Sequence, residues 1–211
     1  VFQRTPSFTM PMRNETLTPE YVAEVKRHYE GIREAARNSA VGGTRPQSTR
    51  AFFSVTPNQR QVLLEDAWKQ GGIFMLGTFS DLLQNAEANE HVADFVRGKI
   101  GEVVKDPKTA EALKPRDYPI FARRPCLDSS YYETYNLPNV HLIDLLNDDD
   151  IVEITEKGVR LRKGGEVELD MLILATGYDG LTGALLAFDV VGKNGQTVNQ
   201  KWKDGARSYL G

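Results

Sequence analysis

Cysteine and histidine are scarce here: one and three residues in a chain of 211. The single thiol, Cys126, has no partner for an internal disulfide. That fits a reducing compartment, and a cytoplasmic location is expected. So few soft or imidazole ligands form no spaced cluster, and no metal is expected. Excess charge of one sign is also missing. The formal net charge is -3, too small for a global attraction to nucleic acid. No apolar run approaches the ~20 residues of a membrane-crossing helix. A Gly-x-Gly-x-x-Gly fingerprint occurs nowhere. What remains is ordinary globular material, 40% hydrophobic and 26% charged, enough for one large domain or two small ones. The chain starts on Val1-Phe2-Gln3-Arg4 without Met and stops on Tyr209-Leu210-Gly211. Both ends cut across a pattern, so a piece of a longer polypeptide is expected.

The stretch Glu168 to Asp179 is the organising one. Met171, Leu172, Ile173 and Leu174 form an unbroken apolar run, which suits a central parallel strand covered on both faces. Ala175, Thr176 and Gly177 follow. Small residues at the carboxyl end of such a strand let a ligand approach the backbone, in the crevice where open α/β sheets bind ligands. The plainer alternative is a core strand ending in a tight turn, with Gly177 present for a positive φ.

Elsewhere the spacing predicts a mostly helical block over 18–114. Thr18 caps and Pro19 opens a helix to about Asn38, with Val22, Val25, Tyr29, Ile32 and Ala36 as its stripe. A loop over 39–55 is anchored by Phe52 and Phe53. Thr56 and Gln59 form a capping box for a helix that buries Val62, Leu63, Ala67 and Trp68 and stops at Gly71-Gly72. A helix over 79–84 follows, then a longer one over about 88–104 with Val92, Phe95, Val96, Ile100 and Val103 on one face. Asp106 and Pro107 start a last short helix. After Pro115 the texture is β-rich: a strand over 140–143, a hairpin over 151–161, and the approach to the central strand. The helical block therefore reads as a subdomain inserted between two pieces of a nucleotide-binding α/β domain.

Several residues carry chemistry. Arg4 follows a short strand, and in a dinucleotide-binding fold the residue just after the second strand meets the adenosine ribose; an Arg there accommodates a 2′-phosphate with its planar, permanently charged fork. Thr5 adds a hydroxyl. The plain alternative is a surface arginine. Arg123 and Arg124 are adjacent cations, which suggests an anionic partner. Neighbours in an extended segment point opposite ways, which allows two separate jobs, and Pro125 holds Arg124 extended. A solvated turn is the other reading. Tyr131, Tyr132 and Tyr135 read as half-buried packing. His141 reads as structural, Asp148-Asp149-Asp150 as a solvated turn, and Cys126 as a small buried hydrophobe.

Taken in order, Val1-Phe2-Gln3-Arg4-Thr5-Pro6, Arg123-Arg124-Pro125 with Asp128 and Tyr131-Tyr132-Glu133, Asn139-Val140, Leu174-Ala175-Thr176-Gly177-Tyr178-Asp179 with Thr182-Gly183-Ala184, and Trp202, Gly205 and Tyr209-Leu210-Gly211 resemble the Baeyer–Villiger monooxygenases. These are class B flavoprotein monooxygenases related to cyclohexanone and phenylacetone monooxygenase. The resemblance covers both ends and the C-terminal half closely, and the block 18–114 in position and character. It implies an enzyme with FAD and NADP as cofactors, in which reduced flavin and O2 form a C4a-peroxide that converts ketones into esters or lactones. It places Arg4 and Thr5 at the NADP 2′-phosphate. Arg124 becomes the active-site arginine that stabilises the peroxyflavin. Arg123 falls where the family often has Lys, on the NADP phosphate side. Ala175, Thr176, Gly177 and Asp179 fall in the segment crossing between the NADP and FAD domains.

The implied fold class is α/β: a partial dinucleotide-binding (Rossmann-like) NADP domain with a helical insertion and a return segment to the FAD domain. Residues 1–17 are a strand and loop of it, 18–114 the insert, 115–179 the remainder and crossover, and 180–211 the start of the return. The partners are then a ketone, O2 and the remaining FAD domain of the same polypeptide, with no nucleic acid and no membrane. The departures are the absent glycine-rich fingerprints, the absent Phe-x-Gly-x-x-x-His-x-x-x-Trp, and a missing final FAD-contacting segment. By itself this chain is therefore expected not to hold FAD or turn over. Two rivals stand beside it: a flavin-containing N- or S-monooxygenase, and a non-catalytic helical interaction module derived from such an enzyme.

Overall fold

The computed structural model describes residues 1–39, 42–44, 48–178, 180 and 182–208. In chain order the elements are β1 (Phe2–Gln3), β2 (Thr9–Pro11), α1 (Pro19–Arg27), α2 (Tyr29–Arg37), α3 (Pro57–Gln70), α4 (Ala86–Val103), α5 (Pro107–Ala112), β3 (Cys126–Asp128), α6 (Tyr131–Thr134), β4 (Ile143–Asp144), β5 (Ile151–Ile154), β6 (Gly158–Leu161), β7 (Gly165–Glu168), α7 (Gly183–Leu186) and α8 (Val198–Lys201). β1 pairs parallel with β4, Phe2 opposite Ile143. β2 pairs parallel with β3, Thr9 opposite Cys126. The third sheet has the order β5-β6-β7. The chain divides into two compact units: 1–152 with 161–165, and 153–160 with 166–211.

In the first unit α4 is the spine. Val92, Ala93 and Val96 are fully buried and join Phe8, Met10, Phe52, Leu64, Met75, Phe79 and Ile120 in one core. One turn further, Ile100 enters a second core with Val104, Leu113, Tyr132 and Tyr135. The predicted stripe is right at Val92, Val96 and Ile100, and Gly98 and Gly101 fall on the exposed side. Two polar residues are buried with the stripe. Asn89 donates from Nδ2 to the carbonyls of Leu82 (3.0 Å) and Ile120 (2.9 Å). Arg97 donates from Nε to the Pro115 carbonyl (2.7 Å), and from Nη1 to Glu90 (2.6 Å) and Asp94 (2.7 Å).

The predicted caps hold: Thr18 accepts from the Tyr21 amide, and Thr56 and Gln59 close a full capping box on α3. Gly71 ends α3 at φ 72, and a Cβ there would stand 2.3 Å from the Pro11 carbonyl oxygen. Only glycine lets α3 stop against β2.

Other expectations change. The helix over 18–38 breaks at His28, whose amide turns back to Glu24 and Val25, and no residue of α1 or α2 is buried. Residues 80–84 are turns rather than a helix, and the strand-like Ile73–Leu76 run gives a 3-10 turn over Phe74–Gly77. Phe52 anchors its loop at 2% exposure, but Phe53 stays exposed. Val62 faces outward, while Leu64 and Ala67 are the buried residues of α3. Cys126 is exposed: β3 shows Cys126 and Leu127 to solvent, while the core is met by its partner β2. His141 lies exposed ahead of β4, which is shorter than expected.

The largest correction concerns 171–174. Met171, Ile173 and Leu174 are 76%, 78% and 68% exposed in a segment without regular structure. No described strand pairs with them, and an extended run without ladder partners gains neither backbone bonds nor cover. Elsewhere in the second unit Thr197 and Gln200 form a capping box on α8, and Trp202 donates from Nε1 to the Arg207 carbonyl (2.8 Å).

At the end of β4 the buried Asp144 closes an Asx turn. Its carboxylate accepts from the Leu146 amide (2.9 Å), the Asn147 amide (3.2 Å) and Asn147 Nδ2 (2.8 Å). Burial pushes its pKa up, but these donors outweigh burial and hold it below the usual carboxylate range. A depressed folded pKa stabilises above the unfolded value of about 3.9, and this stabilisation disappears as pH falls through the folded value. Urea denaturation from pH 6 to pH 2 should therefore show an acid loss of stability that is smaller in Asp144→Asn. Asn89→Ala should cost about 2–3 kcal/mol in the same assay at neutral pH, because two buried carbonyls lose their donor.

Candidate functional site

Arg4 and Thr5 follow β1 at the carboxyl end of a parallel pair, beside the Asp144 turn that ends β4. The Leu145 amide donates to the Gln3 carbonyl (2.8 Å), so strand pairing runs to the residue before Arg4. Pro6 then forbids a ladder bond and holds Thr5 out of the helical region. Arg4 is exposed, and neither its guanidinium nor the Thr5 hydroxyl has a hydrogen-bond or ionic partner among the described residues.

Arg123 and Arg124 stand just ahead of β3. The Cys126 amide donates to the Phe8 carbonyl (3.2 Å), so the β2–β3 register runs back toward both arginines. Arg124 is exposed and free of ionic or hydrogen-bond partners among the described residues. Arg123 is placed differently: its guanidinium carbon lies 4.4 Å from the centroid of the Tyr118 ring, a cation–π contact. The two adjacent cations therefore have different surroundings.

Tyr118 ties this loop to the other arginine segment. Its hydroxyl donates to the Pro6 carbonyl (3.2 Å) and accepts from the Phe8 amide (3.3 Å). Its ring meets Phe8 edge-on at 5.6 Å. The loop itself is held from α4, through Arg97 at Pro115 and Asn89 at Ile120. A turn follows in which the Ala122 amide reaches the Pro119 carbonyl (3.1 Å) and Phe121 takes φ 69. A non-glycine residue at that turn position is strained. Arg4, Thr5, Arg123 and Arg124 thus share one compact unit, on two segments joined by β2–β3 pairing and Tyr118.

Ala175, Thr176 and Gly177 lie in the second unit, exposed and without regular structure. Gly177 adopts φ 87 with nothing within 4 Å of where a Cβ would stand. Its positive φ is the need seen there, with no close backbone approach. Asp179 lies outside the described residues. Of the tyrosines after Asp128, Tyr131 is exposed, while Tyr132 and Tyr135 are buried, which pushes both hydroxyls above the ordinary tyrosine range. The aspartates at 148–150 form turn contacts and ion pairs, and no metal-holding group occurs among the described residues.

Tyr118, Asn89 and Arg97 were not singled out from the sequence. The available signal for Tyr118 was its position between Pro115 and Pro119, just ahead of the arginine pair. Asn89 and Arg97 had none, since a polar residue beside an apolar stripe usually faces water.

No family model matches the chain. Along its whole length it is 43% identical to cyclohexanone 1,2-monooxygenase of Acinetobacter sp, covering 39% of that protein. It is 40% identical to a Baeyer–Villiger monooxygenase of Pseudooceanicola batsensis, covering 38% of it. It is also 40% identical to phenazine N-monooxygenase of Lysobacter antibioticus, covering 39% of it. The solved structure of OTEMO in complex with FAD and NADP superposes with a TM-score of 0.93 at 36% identity, over all of this chain and 39% of that one. The mixed α/β fold is therefore the fold of the matching part of such enzymes. End to end, this chain is a homologue of the Baeyer–Villiger and cyclohexanone monooxygenases, spanning about 39% of their length.

Proposed function

We propose that the chain is the part of an FAD- and NADPH-dependent monooxygenase that contacts NADPH and supplies an active-site arginine, in an enzyme that inserts one oxygen atom of O2 into ketones to give esters or lactones. One observation carries the reading. Arg4 and Arg124, both exposed and unpaired among the described residues, share one compact unit of a chain whose whole length matches part of the Baeyer–Villiger monooxygenases.

In this reading β1 to β4 and the two arginine segments belong to a Rossmann-like NADP domain. Residues 18–114 are its helical insert, and 180–211 lead back to the FAD domain of the same polypeptide. The residues fit the cofactors. Arg4 and Thr5 offer a guanidinium and a hydroxyl without partners among the described residues, at the carboxyl end of a parallel pair, where a nucleotide's 2′-phosphate is met. Arg123 serves the phosphate side of NADP from its seat on Tyr118. Ala175 to Asp179 form the crossing between the two domains. When bound, FAD activates O2 with electrons from NADPH. Arg124 supplies a fixed positive charge where negative charge develops on oxygen, and unlike Lys or His it holds its proton. The partners are the ketone, O2 and the remaining FAD domain, in the cytoplasm.

A second reading is oxygenation of nitrogen, favoured by the phenazine N-monooxygenase at 40% identity. Product analysis with a cyclic ketone and with an aromatic N-heterocycle separates the two.

In the full-length, flavin-loaded protein, Arg124→Ala should lower ester or lactone formation by about 10²–10³-fold or more while NADPH is still consumed. Normal ester formation by this variant would end the assignment. Arg4→Ala should raise KM for NADPH roughly 10–150-fold, the size of a lost charge-assisted contact, and leave KM for NADH nearly unchanged. An equal effect on both coenzymes removes the 2′-phosphate role. A colourless full-length protein would point to the interaction module instead.

A further inference from the structure

We propose that Tyr118 is the positioning residue of the coenzyme-phosphate end of the site. Its hydroxyl locks the connection between β1 and β2, and with it Arg4 and Thr5, onto the loop that carries Arg123. The inference rests on the reading of Arg4 as the 2′-phosphate ligand.

The connection is otherwise loose. Residues 4–7 make no other backbone hydrogen bond among the described residues. Tyr118 grips it twice, donating to the Pro6 carbonyl and accepting from the Phe8 amide. Pro6 makes that grip effective at a distance. Its ring fixes its own φ and restricts Thr5, so few free torsions remain between the held carbonyl and Arg4.

Tyr118 is itself well held. Arg97 and Asn89 bind the carbonyls of Pro115 and Ile120 on either side of it, from a buried helix face. The same ring seats the Arg123 guanidinium. One tyrosine therefore sets the spacing between two cationic segments, and a coenzyme phosphate meets them as a preformed pair. Holding them in advance lowers the ordering cost on binding.

The test is Tyr118→Phe in the full-length, flavin-loaded protein. Phe retains the ring beneath Arg123 and the edge contact with Phe8, and removes both hydrogen bonds. KM for NADPH should rise about 5–150-fold, the range that two lost neutral hydrogen bonds span, with kcat within about twofold and KM for NADH little changed. In an Arg4→Ala background, Tyr118→Phe should add no further loss, because both act on one contact. Flavin content and thermal unfolding are read alongside.

An equal effect on NADPH and NADH overturns the proposal. So does a loss additive with Arg4→Ala, or a lowered Tm with NADPH kinetics unchanged. If Arg4→Ala alone leaves the NADPH preference intact, the 2′-phosphate reading fails and takes this role with it. If Arg4→Ala removes the preference and Tyr118→Phe keeps it, the tyrosine's role alone fails.

Discussion

Asn89 and Arg97 bind backbone carbonyls from inside a hydrophobic core, and the placement of the arginine loop depends on them. Each is about nine-tenths buried or more. A polar group so placed is costly unless its hydrogen bonds are made. Here they are made to Leu82, Pro115 and Ile120, so the cost itself enforces one path for the chain. Arg97 also keeps two carboxylates at its outer end, which holds its charge balanced at the rim of the core. The helical block thereby fixes the path of the loop that follows it.

That anchoring explains how Phe121 is tolerated. Its φ of 69 lies where a bulky residue is rarely found, and such strain costs about 1–3 kcal/mol. The carbonyl just before it is held by Asn89, and the turn closes through Ala122 and Pro119. Its ring packs against the first core, which offsets part of the strain. The chain leaves this turn toward β3, with Arg123 over Tyr118 and Arg124 exposed.

The cations then differ by what surrounds them. Arg123 rests on an aromatic face, a contact suited to a guanidinium and weaker for a strongly hydrated ammonium. Arg4 and Arg124 have no such seat. Unpaired exposed arginines are ordinary singly. Here they stand on strand ends and turns that the parallel register and Tyr118 bring into one unit.

The sequence by itself determined the local features. Thr18, Thr56 and Asp106 cap helices because a side-chain oxygen and a following proline act within one turn. The α4 stripe was legible because its apolar period matches the helix over about three turns, from Val92 to Val103. The ordered set of short motifs also sufficed to indicate the family. The tertiary structure decided everything that depends on a partner distant in sequence. Met171–Leu174 reads as a buried strand, yet burial and pairing are properties of neighbours and not of the run. Cys126 reads as a core residue, yet its partner strand β2 takes the core and β3 stays exposed. Asn89, Arg97 and Tyr118 carry no local signature, because their roles consist of hydrogen bonds to carbonyls and amides 18, 31 and more than 100 residues away. Periodicity records what a residue does for its own helix or strand, and contacts of that span leave no trace in it.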